Sequence, residues 1–161
     1  MILGIDPGLA NVGWAVVARD RGETEAKLMD WGCIESKSGE KMEKRLCLIY
    51  EALEKIIDKF GIKEMAVESL FFARNAKSAM KVSEALGVIK LCGAKKGIEV
   101  FDYTPLQIKM TLVGYGQAEK EQVELMVRHF LGLEEKIEVA HGSDAAAAAL
   151  THLFTNRDLL G

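Results

Sequence analysis

The sequence predicts an α/β fold: a five-stranded mixed sheet, an antiparallel meander plus parallel strands, flanked by helices on both faces. Three observations lead there. The opening residues hold three short apolar runs joined by short turn-rich connections, which suits a meander and leaves no room for crossover helices. From residue 40 onward, long segments with apolar residues every three or four positions alternate with short runs of strand length. At 161 residues, 49% hydrophobic and 28% charged, the chain is long enough for one domain over 1–161 with a substantial core and is not disordered in composition.

Each element follows from its residues. Met1–Ile5 is apolar apart from Gly4 and too short for a helix. Asp6 ends that run, and Pro7-Gly8 marks a turn, proline presetting one dihedral and glycine allowing a positive φ. Val12–Ala18 is a second strand, rich in β-branched residues. Lys27–Ser36 is a third, with Leu28, Asp30, Gly32 and Ile34 alternating against Met29, Trp31 and Cys33. Glu40–Phe60 is the first helix: Met42, Leu46, Ile49, Leu53, Ile56 and Phe60 recur at helical spacing, and Gly61 stops it. Lys63–Glu68 has a short apolar centre and gives the fourth strand.

Asn75–Lys96 is a long helix whose apolar face is too wide for one core. Ala79, Val82, Leu86 and Ile89 make one stripe, which Ala85, Val88, Leu91 and Cys92 broaden. The extra face asks for a second partner, commonly a second subunit, and Ala79, Ala85, Gly87 and Gly93 would permit close helix approach. Gly97–Tyr103 supplies a fifth strand. Thr104-Pro105-Leu106-Gln107 is a helix start, with Thr as N-cap, Pro in the first helical position and Gln completing a capping box. That helix ends near Gly114. Glu119–Leu131 is another, and Ser143–Thr155 is the last, carrying Asp144 and five consecutive alanines that favour helix and allow close packing on a sheet.

Composition excludes several classes. Cys33, Cys47 and Cys92 form no CxxC pair, so neither a disulfide framework nor a thiolate zinc site is indicated, and reduced, mostly buried thiols are expected. No succession of basic, apolar and small-residue regions marks a signal peptide, and the apolar runs fall short of a membrane span, which predicts a cytoplasmic location and no membrane partner. A net charge of −3 argues against general nucleic-acid binding unless one face is locally basic.

The carboxylates carry the chemistry. Asp6 and Glu68 each finish a strand, and if those strands are parallel neighbours both lie where ligands collect in an open α/β sheet. His141 and Asp144 are three apart and share a face if the last helix begins early enough. Together they would be hard oxygens plus one imidazole. Like charges at close range raise one another's pKa, so such a cluster calls for cations. Blander readings stand beside this one: Asp6 in an Asx-turn, and His141 as a cap of the last helix.

These residues also carry a resemblance. GIDPG after the first strand, VESLFFARNAKSA around Glu68, VGYGQAEKEQV and HGSDAAAAALTH occur in that order over nearly the whole chain. In this the sequence resembles the RuvC-type Holliday-junction resolvases. The resemblance implies a ribonuclease-H-like fold, a homodimer, and divalent-metal-dependent cutting of four-way DNA junctions in recombination and repair, alongside a branch-migration motor. It places the catalytic and metal-binding tetrad on Asp6, Glu68, His141 and Asp144. At His141 better-known members have aspartate, and imidazole suits Mn2+ better than Mg2+, so both metals are expected to serve. Phosphodiester hydrolysis by two such ions about 4 Å apart would have Asp6 between them.

The same resemblance puts a base-stacking aromatic on Phe71, where stacking is worth about 1–3 kcal/mol per base. It puts lysines near the scissile phosphate at Lys109 and Lys120. Arg74, Lys77 and Lys81 follow the Phe71 loop as further DNA-binding candidates, Lys77 and Lys81 sharing one helix face that is otherwise an ordinary solvated surface. Asp102 ends a strand too, yet no motif gives it a role. Two other classes are weaker. An actin-like phosphotransfer domain needs a second phosphate loop, for which 161 residues leave no room. A purely architectural junction binder gains nothing from acids facing phosphates.

Overall fold

The strand β1 (Ile2–Asp6) occupies the middle of the sheet because both of its faces can be buried. The structure, a computed structural model, describes residues 1–19, 26–69, 76–135, 137 and 140–155, with backbone only at 76–78 and 140. β2 (Asn11–Ala18), β3 (Lys27–Glu35), β4 (Glu64–Glu68) and β5 (Glu99–Tyr103) complete one sheet in the order β3-β2-β1-β4-β5. β1 pairs antiparallel with β2, and β2 with β3; β1 runs parallel to β4, and β4 parallel to β5. Meander and parallel strands thus meet at β1, and the condition that β1 and β4 be parallel neighbours is met.

Strand alternation divides the core in two. Leu3, Ile5, Val12, Val16, Met65 and Val67 pack beneath α1 (Met42–Phe60) and α2 (Ala76–Lys95). Ile2, Ala15, Val17, Ala66 and Tyr103 face the other way, toward α3 (Pro105–Val113), α4 (Lys120–Leu131) and α5 (Ala140–Thr155). Helices therefore cover both faces. The predicted punctuation holds: Thr104 and Gln107 form a reciprocal capping box, and Gly61 closes α1 in the left-handed region with φ 59°. Among the described residues, no helix is long and apolar enough to cross a membrane.

α5 lies directly on the sheet, and two strand glycines make this possible. A Cβ on Gly4 would stand 1.9 Å from the Ala145 carbonyl oxygen, and one on Gly13 would stand 2.1 Å from that of His141. Ala145–Ala149 are all buried at this contact, so the alanine run serves close packing.

The structure departs from expectation in three places. α5 begins at Ala140 rather than Ser143, because the segment is carried onto Gly13 and Trp31 by packing and Gly142 fits against the Trp31 ring without leaving the helix. On α2, Ala85 is buried and Gly93 faces Val100, so neither is open to a partner helix; Leu91 (54% exposed) and Met80 (69%) are the large apolar residues left outward, beside Gly87. Of the cysteines only Cys92 is buried, while Cys47 is exposed on α1.

Candidate active site

The register Ile5↔Val67 aligns β1 and β4 so that Asp6 and Glu68 emerge side by side at their carboxyl ends. Across β1 on the other side, Asp6 is paired with Gly13. The missing side chain at Gly13 lets the first turn of α5 come down on Asp6. Helical spacing then sets His141 and Asp144 on one face, above the strand end.

His141 Nδ1 lies 2.8 Å from Asp6 Oδ2, a hydrogen bond that the carboxylate accepts and Nδ1 donates. Lys120, the first residue of α4, donates from Nζ to Asp144 Oδ2 at 2.6 Å. Asp6, His141 and Asp144 each offer a ligand atom within 4.8 Å of the others, close enough for one cation to take all three. Glu68 stands outside that triple. It lines a pocket with Asp144, Lys109 and Lys120, floored by Ile108, Val123 and Ala147. His141 thus lies within α5, half-exposed and bonded to Asp6, and is not its cap, and Asp6 faces the helix rather than closing a turn.

Electrostatics show how closely these groups are placed. Burial, then the charges of Asp6 and Asp144, push the Glu68 carboxyl up to about 7, against a smaller opposite pull from Lys120. Asp6 is raised as well, chiefly by burial, with the His141 hydrogen bond working the other way. Lys120 is held protonated more firmly than usual by its bond to Asp144. Without a cation, the cluster therefore relies on an imidazole N–H and an ammonium to offset its negative charge.

The remaining candidates divide. Lys109 lies in the pocket with Glu68 and Asp144, whereas Lys81 lines a second pocket on the other flank, with His141 and the Gly8–Asn11 loop. Phe71, Arg74 and the side chain of Lys77 fall outside the described residues. Asp102 forms a 2.6 Å ion pair with Lys90, which accounts for it. Arg45 is a residue that reasoning from motifs missed. It lines the second pocket, and its signal was a charge in the buried row Arg45, Ile49, Leu53, Ile57.

A sheet of this order, with acids and a histidine converging where its central parallel strands end, defines an enzyme of the ribonuclease-H-like fold equipped for a divalent metal. Comparison with known proteins makes this specific. The family model described as crossover junction endodeoxyribonuclease RuvC matches residues 2–152, and the chain belongs to that family. The RuvC of Moorella thermoacetica is 45% identical over 152 residues, covering 94% of this chain and 90% of that protein. The solved structure of Thermus thermophilus RuvC superimposes with a TM-score of 0.91 at 37% identity, covering 99% of this chain and 96% of that one. The same T. thermophilus protein in complex with Holliday junction substrate gives 0.92 at the same identity and coverage.

Proposed function

We propose that this chain resolves four-way DNA junctions by paired, metal-dependent phosphodiester hydrolysis in strands of like polarity, in homologous recombination and repair. The observation that carries the reading is the convergence of Asp6, His141 and Asp144 within 4.8 Å, beside a pocket that holds Glu68, Lys109 and Lys120. The family implies a divalent cation, and the donor set fits one, since carboxylates with one imidazole suit Mg2+ and Mn2+. Two ions are proposed, with Asp6, His141 and Asp144 as ligands and Glu68 as the fourth. Divalent cations held there supply an activated water and charge relief at the leaving 3′-oxygen.

The chain's own residues do the rest. Asp6 and Glu68, fixed on neighbouring strands, hold their carboxylates in place without loop motion. Lys109 and Lys120 bring positive charge to the scissile phosphate, Lys120 releasing Asp144 as it does so. Phe71 stacks on a base of the opened junction, with Arg74, Lys77 and Lys81 as further contacts to the DNA. A four-way junction is close to two-fold symmetric, so one site per subunit of a homodimer meets the need for paired cuts. The outward stripe of Met80, Gly87 and Leu91 on α2 supports that assembly. We place the activity in a single nuclease domain over 1–161, in the cytoplasm, working with a branch-migration motor.

The test is incubation with four-way junction and linear duplex DNA, with and without Mg2+ or Mn2+. The expected result is metal-dependent paired nicking of the junction alone. Asp6→Asn, Glu68→Gln and Asp144→Asn should each abolish cutting and keep junction binding, because affinity comes from cations facing phosphates. A variant cutting at the wild-type rate in saturating metal would remove that residue from the site, and equal cutting of duplex would remove the substrate assignment.

A further inference from the structure

Arg45 stands in the second turn of α1, turned inward and only 7% exposed. Its Nε donates to Ser36 Oγ at 2.9 Å, and Ser36 Oγ donates in turn to the Leu9 carbonyl at 2.5 Å. The Ser36 amide also donates to the Ala10 carbonyl. This chain ties α1 and the end of β3 to the loop after β1. It uses one of the five N–H donors of the guanidinium. Among the described residues, no carboxylate lies within ion-pair distance of Arg45, and its terminal nitrogens are not among the buried groups left without a partner. Those nitrogens therefore reach open space, at the pocket that Arg45 lines with Lys81, His141 and the Gly8–Asn11 loop.

A guanidinium this deep is ordinarily paired, since burying a charge without a counter-charge is costly. Here the second charged group of the pocket is another cation, Lys81, and no described carboxylate pairs with it either. The chain carries a net negative charge, so this local excess of positive charge is not a general surface property. Two cations side by side in one pocket suit an anion. Its position selects the kind: the pocket shares His141 with the proposed metal site, while the pocket of Lys109 and Lys120 flanks that site through Asp144. A strand crossing the acids thus meets cations on both sides.

We propose that Arg45, held by Ser36 and assisted by Lys81, forms a phosphate subsite for a backbone phosphate of the cleaved strand next to the scissile one. The planar fork of the guanidinium can hold two phosphate oxygens at once, which fixes the strand's register over the acids as a point charge would not. The subsite rests on the nuclease reading for its ligand and deepens it by naming what positions the strand.

Two measurements test it, both in chelator so that nothing is cut. First, inorganic phosphate should raise the melting temperature of the wild type beyond an ionic-strength-matched chloride control, and Arg45→Gln and Lys81→Gln should lose most of that rise. Second, junction affinity should be measured across a salt series. Each variant should bind several-fold more weakly, with the slope of log K against log salt reduced by about 0.7–0.9, the loss of one phosphate contact. Lys59→Gln, at a residue paired with Asp30 away from the pocket, should keep the wild-type slope. If Arg45→Gln does not fold, Lys81→Gln, at an exposed position, decides both arms. An Arg45 variant that merely melts earlier, with phosphate response and slope intact, overturns the subsite. So does a wild type indifferent to phosphate. A wild type that binds junction no better than duplex overturns the parent reading instead, and the phosphate arm still judges the pocket.

Discussion

Replacing Glu68 with glutamine should stabilise the metal-free protein at pH 8 and leave it nearly unchanged at pH 5. The glutamate is half-buried at the end of β4, and this burial, then the charges of Asp6 and Asp144, raise it from 4.5 to about 7. Between those two values the folded protein keeps a proton that the unfolded chain has released. Stability therefore falls as pH rises through that window, and the whole penalty is present above about pH 7. At about 1.4 kcal/mol per pH unit, the rise corresponds to about 3 kcal/mol, which solvent at the pocket mouth reduces to about 1–2 kcal/mol. For a chain of this length each kcal/mol moves the melting temperature by about 2–4 °C, so Glu68→Gln should melt about 2–8 °C higher at pH 8. Melting curves in chelator from pH 5 to 9 would measure this directly. Adding Mg2+ or Mn2+ should reverse the order, because only the wild type keeps the carboxylate. An offset between variant and wild type that is the same at every pH would falsify the electrostatic account of the site.

Three further outcomes follow from the geometry. His141→Asp should shift metal preference toward Mg2+, read from binding and cutting rates over a concentration series of each ion; an unchanged preference removes His141 from the ligand set. Leu91→Glu, at an exposed position on α2, should weaken the proposed homodimer without unfolding the protomer and cost paired cutting before single nicks; sedimentation equilibrium at micromolar protein checks it, and a wild-type monomer that still makes paired cuts, or a dimer unaltered by the substitution, removes this face from the assembly. Gly13→Ala should cost about 1–3 kcal/mol and disturb metal binding more than its size suggests, since the new methyl would meet the His141 carbonyl at 2.1 Å; calorimetric unfolding with and without metal separates the two effects.

Much of this was legible because it is local. The capping box at Thr104 and the stop at Gly61 depend on a few neighbouring residues, and both formed as read. The partition of Leu3 and Ile5 from Ile2 follows from strand alternation alone. What stayed hidden depends on contacts between distant segments. Periodicity could not show that Ala85 and Gly93 are consumed inside the protomer, because a buried face and a partner-facing one look alike in sequence. Arg45 is hard to read from sequence for the opposite reason. In a row otherwise made of Ile49, Leu53 and Ile57 it breaks the apolar pattern, and only the pocket beyond it explains the break.

The start of α5 shows how the two kinds of information combine. Read alone, HGSD favours a helix beginning at the serine, with His141 as a cap. The helix instead begins at Ala140, because Gly13 lies beneath His141 and any larger residue there would hold it off. That contact brings a helix amino-terminus, with its partial positive charge, to the half-buried carboxylate of Asp6. It also sets the imidazole N–H 2.8 Å from the Asp6 oxygen and leaves Asp144 facing Lys120. Helix end, imidazole and ammonium each offset part of the negative charge that, after burial, raises Glu68. A set of acids suited to a divalent cation can therefore fold without one, and a cation bound there would have to displace or share these contacts. The glycine opposite Asp6, which has no chemistry of its own, is accordingly as much a condition of the site as the acids.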